Sequence, residues 1–411
     1  MKLKSIALAT LIATTASVSA VEISDDITAR YWNVEGKTKA QINERVAFLM
    51  KAAFPRTSQE RMSDLAVRAK YKDAIVMDTL TTGAVNFPTG LTAPRYNEMM
   101  NFSYDYGYTY LSTTLSNGTD KDFNQTIERL KETDAANQAE RRILVKSVDD
   151  IYQAKVEGRG AYDYHLQGAA QVETMEQLEQ LNELGLNRVN FAYNTRNQYA
   201  DGISTNMTDD DQGLSDKGIA LVKKMNELGI IVDCSHSSDQ TCIDAAKVST
   251  KPVILSHTNP RALMNIRRNA SDEAIEAVAA SGGLACNNMV GGFLNDDFDA
   301  SPKRVAESVQ YVAELVGKEH TCMGVDYVHN MEDALHWIVR TPEKFPVEEG
   351  YGSISSVGVP ADIWAVVAIL EERYDWTETE IRGFLGLNYI RVMSEVMNEK
   401  GEVFVKANHN H

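Results

Sequence analysis

Short strand-forming segments recur along this chain, with enough residues between most of them for a helix. The segments are rich in β-branched, aromatic and other apolar residues, which is typical of buried strands. Eight of them can be recognised, at residues 74–78, 108–114, 161–166, 188–192, 230–234, 253–256, 284–287 and 321–325. Strands that alternate with helices form parallel sheets, so this pattern restricts the chain to an α/β fold.

The connecting segments show the signals of amphipathic helices. Residues 215–228 carry apolar side chains every three or four positions and are followed by Gly229. The next such helix begins after Ser271 and ends before Gly282. Serine before a helix and glycine after it are the usual end signals. Eight strands with such connections predict a closed (β/α)8 barrel of the TIM type, in which functional groups lie at the carboxyl ends of the strands.

The barrel is predicted to occupy residues 71–330. Residues 21–70 read as an N-terminal helical extension that covers the bottom of the barrel. Residues 331–411 read as a C-terminal loop followed by helices that pack on the barrel, and residues 377–380 (Thr-Glu-Thr-Glu) form a capping box that opens one of these helices.

The first twenty residues have the organisation of a secretory signal peptide. Lys2 and Lys4 precede an apolar segment at 6–18, and small residues at 18–20 suit cleavage before Val21. Cleavage removes two positive charges and changes the formal charge from −17 to −19. Such an acidic chain is unsuited to binding nucleic acid or anionic lipid. We therefore expect a periplasmic or secreted protein without a membrane anchor; a homodimer remains open.

The chain has four cysteines, at positions 234, 242, 286 and 322. Three of them lie within apolar strand segments, so the sequence favours buried thiols over a disulfide framework. Export to an oxidising compartment leaves one disulfide pair open, and the sequence does not choose which.

Two of the predicted strands end in the same dipeptide, Ser-His. His236 follows the strand at 230–234, and His257 ends the next strand. Consecutive strands of a barrel bring such residues to one mouth, and imidazole nitrogen is a common zinc ligand. Arg268 follows on the loop after His257 and is a candidate clamp for a carboxylate. Asp326 ends the eighth strand and is a candidate for proton transfer. Asp78 is a weaker candidate of the same kind.

Beyond these residues, the chain resembles the membrane dipeptidase (renal dipeptidase) family from about residue 184 to 392. The similarity runs through residues 213–215, 225–229, 233–236, 252–259, 268–269, 282–283, 323–326 and 386–391. The resemblance implies a metallo-dependent hydrolase-like barrel that cleaves dipeptides at a bridged two-zinc centre. It also implies zinc or another divalent metal as the cofactor, and a small dipeptide-like molecule as the partner.

The chain departs from the family pattern where the family holds its metals. The family ends its first strand with Asp-x-His-x-Asp, but Leu80 and Thr82 stand in place of that His and that second Asp. The bridging glutamate is replaced by Gln167, and a histidine that contacts substrate is replaced by Tyr193. The chain therefore reads as a divergent member with several metal ligands replaced.

The remaining residues suggest a reduced or rebuilt site. His236 and His257 would hold at most one divalent ion per chain, completed by Gln167 or by His165, which faces the same side of its strand. His329, in the loop after Asp326, is another candidate ligand, whereas His320 and His336 read as structural. Asp326 would then be catalytic, and Arg268 and Tyr193 would contact the substrate.

Three functions stay open at this point. The first is a dipeptidase-class metallohydrolase acting on dipeptides or a related carboxylate-bearing amide. The second is an inactive family member that binds a small ligand. The third is a different enzyme on the same scaffold, such as a lyase or another amide hydrolase.

Overall fold

The computed structural model describes residues 36–51, 65–87, 91–116, 122–296, 299–329, 331–346, 349, 351 and 357–397. The predicted signal peptide at 1–20 lies outside the described residues, as does most of the predicted extension at 21–70. No helix among the described residues is long and apolar enough to cross a membrane.

A ring of parallel strands forms the centre of the structure. In chain order the strands are β1 Met77–Thr81, β2 Tyr110–Ser116, β3 Ile143–Leu144, β4 Ala161–Leu166, β5 Leu186–Asn190, β6 Ile231–Asp233, β7 Val253–Leu255, β8 Leu284–Asn287 and β9 Thr321–Met323. Their hydrogen-bonded order is β1-β2-β4-β5-β6-β7-β8-β9, and β3 pairs only with the start of β4. The predicted eight-stranded barrel is therefore confirmed, with β3 as an addition that the sequence pattern did not reveal.

The first and last strands meet near the mouth and nearly close the barrel. Thr81 forms a parallel bridge with Tyr327. The amide of Asp326 donates to the carbonyl of Leu80 at 3.3 Å. The Thr79 hydroxyl lies 3.0 Å from the carbonyl oxygen of Met323. These contacts place the residue after β9 beside the end of β1.

Helices surround the barrel and follow the predicted end signals. The Ser215 side chain accepts from the Gly218 amide, and Gly229 ends that helix in the left-handed conformation. Thr377 and Glu380 form the predicted capping box. The helices described are Lys39–Lys51, Ala93–Asp105, Phe123–Ala139, Val148–Glu157, Met175–Glu183, Asp216–Leu228, Asp239–Val248, Asp272–Ala280, Gly291–Leu294, Pro302–Val316, Met331–Arg340, Ile363–Tyr374, Glu378–Arg382 and Asn388–Val396.

The C-terminal helix Asn388–Val396 closes the bottom of the barrel. Tyr389 and Met393 join an apolar cluster with the barrel-lining residues Tyr110, Ile231 and Ile254. The N-terminal helix Lys39–Lys51 packs instead against Met331–Arg340. The expectation that the N-terminal extension covers the bottom is therefore wrong for this helix, because the C-terminal helix fills that place.

One disulfide crosses two neighbouring strands at the bottom of the barrel. Cys286 on β8 and Cys322 on β9 are register partners and are bonded to each other. Cys234 and Cys242 are buried free thiols. Burial of the cysteines is as expected, but one pair is a disulfide, because strand register brings together two residues that are 36 positions apart.

Candidate functional site

His236 and His257 lie side by side at the mouth of the barrel, with their ring centroids 4.9 Å apart. His236 follows β6 by three residues, and His257 follows β7 by two. His236 has a positive φ of 65°, a backbone conformation that is uncommon for residues other than glycine. This turn directs the chain out of β6 at the point where the strand ends.

A buried carboxylate ties together the two strand ends that carry these histidines. Oδ1 of Asp233 accepts from the amide of Ser235 at 3.0 Å and from the amide of Ser256 at 3.1 Å. Its other oxygen lies 3.0 Å from Nε of Arg188, and both side chains are fully buried. The Ser235 hydroxyl in turn accepts from the amide of His257 at 3.0 Å. The relative position of the two histidines therefore depends on Asp233 and Ser235.

Both nitrogens of the His236 ring have a neighbour. Nδ1 lies 2.7 Å from Oδ1 of Asn194, and Nε2 lies 3.3 Å from Nη2 of Arg268. The ring of Tyr193 stacks on the imidazole at a centroid distance of 4.1 Å. Burial lowers the pKa of His236 well below its usual value, and the charge of Arg268 and the nearby His257 act in the same direction. The imidazole is therefore neutral at physiological pH.

His257 has one ring nitrogen that remains available. Nδ1 lies 2.7 Å from the hydroxyl of Ser256, whereas Nε2 is buried and has no hydrogen-bond partner among the described residues. Burial lowers the pKa of His257 well below its usual value, and Arg268 and Arg188 lower it further. A neutral imidazole with a free nitrogen can accept a proton, a hydrogen bond or a metal ion.

Arg268 is buried beside the two histidines, with only 1% of its surface exposed. Nη2 donates to the carbonyl of His257 at 2.9 Å, and Nη1 donates to the hydroxyl of Thr258 at 3.2 Å. The guanidinium carbon lies 5.3 Å from the centre of the Phe293 ring. Nε has no hydrogen-bond partner, and no carboxylate of the described residues forms an ion pair with this side chain. A buried guanidinium without an ion pair is costly even though the charge of Asp326 acts on it, and this favours an anion-binding role.

Asp326 lies across the mouth, at the end of β9. It has a positive φ of 61°, and one carboxylate oxygen accepts from the Thr82 hydroxyl at 3.0 Å. Burial raises the pKa of Asp326, while Arg268 and the hydrogen bond from Thr82 oppose that shift. A carboxyl group with a raised pKa is suited to proton transfer.

The carboxyl group of Asp78 is engaged by backbone amides instead of being free beside the histidines. Its Oδ1 accepts from the amides of Leu80 and Val325, both at 2.9 Å, and so joins β1 to β9. Burial raises its pKa to about 7, and the charge of Asp326 adds to this shift. Asp78 therefore stabilises the closure of the barrel and positions Asp326 through the residue before it.

His165 and Gln167 are held by hydroxyl groups on β2. The ring nitrogens of His165 lie 2.9 Å from the Ser112 hydroxyl and 2.8 Å from the Thr114 hydroxyl. The Gln167 amide donates to the same Thr114 hydroxyl at 3.1 Å. His165 lies near the end of β4 and Gln167 directly follows it, but neither side chain is joined to His236 or His257 by a hydrogen bond.

Two further histidines among the described residues, His329 and His320, have separate partners. His329 contacts the Tyr327 hydroxyl at 3.1 Å and lies 3.4 Å from a carboxylate oxygen of Glu98. Nδ1 of His320 lies 2.7 Å from the carbonyl oxygen of Gly283, which agrees with a structural role. His336 lies on the helix Met331–Arg340, and its Nδ1 is buried without a hydrogen-bond partner in the part of the chain that the structure describes.

The two histidines, the arginine and the aspartate lie in a region of the sequence that matches a known protein family. Residues 79–340 match the membrane dipeptidase family, peptidase family M19. The chain belongs to this family. It is 27% identical over 347 residues to Dipeptidase verJ of Clonostachys rogersoniana, which covers 82% of this chain and 80% of the relative.

Solved structures show the same fold as this dipeptidase-family chain. An amidohydrolase from Pseudomonas aeruginosa is 26% identical, with a TM-score of 0.69, over 80% of this chain and 99% of that one. A metallopeptidase from Rhodobacter sphaeroides, solved with a phosphinate mimic of the dipeptide L-Ala-D-Ala, has a TM-score of 0.59 at 16% identity, over 79% of this chain and 99% of that one.

The residues of this dipeptidase-family member do not fit a two-metal centre. Among the described residues, no three His, Cys, Asp or Glu side chains are grouped so that they could hold an ion. Of the ring nitrogens of His165, His236 and His257, only Nε2 of His257 has no hydrogen-bond partner among the described residues. The predicted ligand set of His236, His257 and His165 or Gln167 is therefore not assembled, because hydroxyl groups hold the β4 residues and Arg268 faces His236.

Several residues of the family member's site were not identified from the sequence. Asn194 orients His236, Asp233 joins the strand ends, and Phe293 packs on Arg268. Asp233 stands three residues before His236 in the same strand segment, which was the available signal. A cavity of about 550 Å³ adjoins the site at Tyr193; Arg196 and Lys217 are among its other lining residues.

Proposed function

We propose that this chain is an exported dipeptidase-family hydrolase that acts on a dipeptide or a related small amide with a free carboxylate, using a metal centre reduced to at most one divalent ion. The observation that carries the proposal is Arg268, a buried guanidinium without an ion pair beside two neutral imidazoles. A ligand carboxylate would supply the ion pair that Arg268 lacks, and its hydrogen bonds with a guanidinium are charge-assisted.

The other site residues have roles that agree with such a ligand. Asp326, whose pKa is raised by burial, would exchange a proton with the reacting amide. The half-buried ring of Tyr193 would contact the ligand next to His236. Support for a dipeptide-like ligand comes from the Rhodobacter sphaeroides structure, in which a dipeptide mimic is bound.

The reduced metal centre follows from the ligands that the chain lacks. Leu80, Thr82 and Gln167 are uncharged, so no carboxylate at these positions would offset the mutual repulsion of two divalent ions held close together. His236 and His257 are the ligands that would remain for a single ion, and that ion would have to displace Arg268 from Nε2 of His236. We therefore assign no reaction step to a metal in this chain.

The alternative function is a ligand-binding protein without hydrolytic activity. It is kept because the uncharged residues Leu80, Thr82 and Gln167 stand where the family holds its metals. It keeps the same ligand chemistry, because Arg268 would still bind a carboxylate. Activity measurements are therefore what distinguishes the two functions.

The decisive experiment combines metal analysis of the purified protein with a panel of dipeptides. We expect at most one equivalent of a divalent metal and turnover far below the ~10 s⁻¹ that is typical of enzymes. Arg268→Ala should weaken binding of the carboxylate ligand, whereas Arg267→Ala, at a neighbouring exposed arginine, should not. Two equivalents of metal that are both lost in His236→Ala, or turnover at or above ~10 s⁻¹, would show that the site is intact.

Restoring the missing ligands provides a second test. Leu80 and Thr82 lie at the end of β1 and Gln167 directly follows β4, and the Thr82 hydroxyl already contacts Asp326. The triple variant Leu80→His, Thr82→Asp and Gln167→Glu should take up more zinc than the parent and should gain hydrolytic activity. If zinc uptake does not change, the native residues Leu80, Thr82 and Gln167 are not the reason for the reduced centre.

The proposed location is the periplasm or the medium. It rests on the charged, apolar and small-residue segments within residues 1–20. Mass spectrometry of the protein from the periplasmic fraction should show a chain that begins near Val21. A chain of full length found only in the cytoplasm would exclude export.

A further inference from the structure

The His236 ring offers a single lone pair, and its position in the structure can be assigned. Nδ2 of Asn194 donates to the carbonyl of Lys344 at 3.0 Å, which fixes the orientation of this amide. Oδ1 of Asn194 therefore faces Nδ1 of His236 at 2.7 Å and accepts its proton. In a neutral imidazole the other nitrogen then carries the lone pair. Nε2 of His236 is thus the acceptor, and it faces Arg268.

That same lone pair is what a metal ion would need. Zinc binds imidazole nitrogen at about 2.0–2.1 Å, along the lone-pair direction. Nη2 of Arg268 already lies 3.3 Å from Nε2 of His236. One lone pair cannot serve a metal ion and a guanidinium at once, and the two positive charges repel each other at such short distance.

Arg268 is held in this place by several independent contacts. Its nitrogens also donate to the His257 carbonyl and the Thr258 hydroxyl, and its guanidinium packs against Phe293. The next residue, Asn269, donates to the carbonyls of Met264 and Phe293 at 2.9 and 2.8 Å. A buried and multiply anchored side chain is a fixed part of the site rather than a mobile group that a metal displaces without cost.

We propose that Arg268 is the resident cation of this site and competes with a divalent ion for Nε2 of His236, so that a small carboxylate binds here without a metal. That a carboxylate binds here rests on the proposed function. That Arg268 and a metal ion compete for His236 does not. Removal of an arginine that only clamped substrate would change metal affinity only through the loss of its charge. An arginine that occupies the coordination position of His236 suppresses metal binding, and its removal increases it.

Zinc affinity in arginine variants tests the competition directly. Zinc is titrated against a chromophoric chelator with the full-length protein and with Arg268→Ala and Arg268→Met. Methionine keeps an unbranched apolar chain against Phe293, and exchange of a buried unpaired charge for such a chain is compatible with folding, which circular dichroism verifies. We expect the affinity for zinc to rise at least about tenfold in both variants, since one competing charge is removed from a poorly solvated site.

Two controls separate this effect from other zinc sites and from the change in net charge. Arg267→Ala removes the same charge from the adjacent position, where the arginine is 44% exposed, and should leave zinc affinity unchanged. His236→Ala combined with Arg268→Met should abolish the gain, because the gained ion needs Nε2 of His236. Unchanged or lower zinc affinity in Arg268→Met, or an equal gain in Arg267→Ala, overturns the competition.

Carboxylate binding is tested with N-acetylglycine as the probe, by calorimetry with and without a chelator. We expect the same dissociation constant within twofold in both conditions. Binding that disappears with the chelator overturns metal-independent binding. Absence of binding in both conditions would instead be a failure of the proposed ligand, and the zinc titration would still decide whether Arg268 and a metal compete.

Discussion

Replacement of Asp233 by asparagine should destabilise the protein strongly, although the new side chain has nearly the same shape. The asparagine oxygen can still accept from the amides of Ser235 and Ser256, as Oδ1 of Asp233 does at 3.0 and 3.1 Å. The amide nitrogen, however, would face Nε of Arg188, which lies 3.0 Å from Oδ2 of the native carboxylate. The variant thus keeps the backbone contacts and removes only the ion pair.

The expected magnitude follows from the burial of this pair, because both side chains are 0% exposed. Removal of one partner of a buried ion pair costs about 3–5 kcal/mol, and the charge of Asp163, which also acts on Arg188, favours the lower end of this range. That is a large part of the roughly 5–15 kcal/mol by which folded proteins are stable. Urea unfolding at pH 7, followed by the fluorescence of the four tryptophans, measures the change in the free energy of unfolding.

Two further variants make this prediction refutable. Asp210→Asn changes a carboxylate that is 73% exposed and 3.6 Å from Arg196, and it should alter stability by at most about 0.5 kcal/mol. Arg188→Met combined with Asp233→Asn removes both charges and should recover most of the loss. A loss below about 1 kcal/mol in Asp233→Asn, or a double variant less stable than the single one, would contradict the importance of the ion pair.

Two other outcomes are expected. In the folded state the pKa of Asp78 is raised to about 7, from an ordinary value of 3.8. The protonated carboxyl group therefore stabilises the folded state fully below pH 4, and this stabilisation is lost as the pH rises to about 7. In urea unfolding, the free energy of unfolding of Asp78→Asn should therefore equal that of the parent at pH 4 and be higher by roughly 2–4 kcal/mol at pH 8. An equal difference between variant and parent at both pH values would exclude this titration. Joint replacement of Cys286 and Cys322 by alanine should lower the free energy of unfolding by about 2–4 kcal/mol, since their disulfide closes a loop with a sequence separation of 36; unchanged stability would mean that the bond does not restrict the unfolded chain.

Local patterns in the sequence were sufficient for the architecture. The end signals of helices depend on residues within one turn, so Ser215 and Thr377 could be placed as caps before the structure was known. Alternation of strand and helix then determines a parallel barrel, because few other arrangements bury both kinds of element. The pairing of His236 with His257 was accessible for the same reason, since the carboxyl ends of consecutive strands share one mouth.

Strand boundaries were less accurate, because they depend on partners that the sequence does not show. The first strand was predicted at 74–78 and lies at Met77–Thr81, and the strand predicted at 188–192 lies at Leu186–Asn190. Strand β3 was missed, since two half-buried residues that pair with β4 leave no periodic pattern. Apolar composition locates a strand, whereas hydrogen bonds to the neighbouring strands decide where it begins and ends.

The chemistry of the site was decided by contacts between residues far apart in the chain. Asn194 is 42 residues from His236, and Arg268 is 32 residues from it, yet together they engage both nitrogens of its ring. His165 was a plausible ligand by its position on β4, but hydroxyl groups on β2 engage both of its nitrogens. The sequence by itself determined the family, the barrel and the residues at its mouth; only the tertiary structure decided which nitrogen atoms remain free, because that depends on hydrogen bonds formed across the barrel.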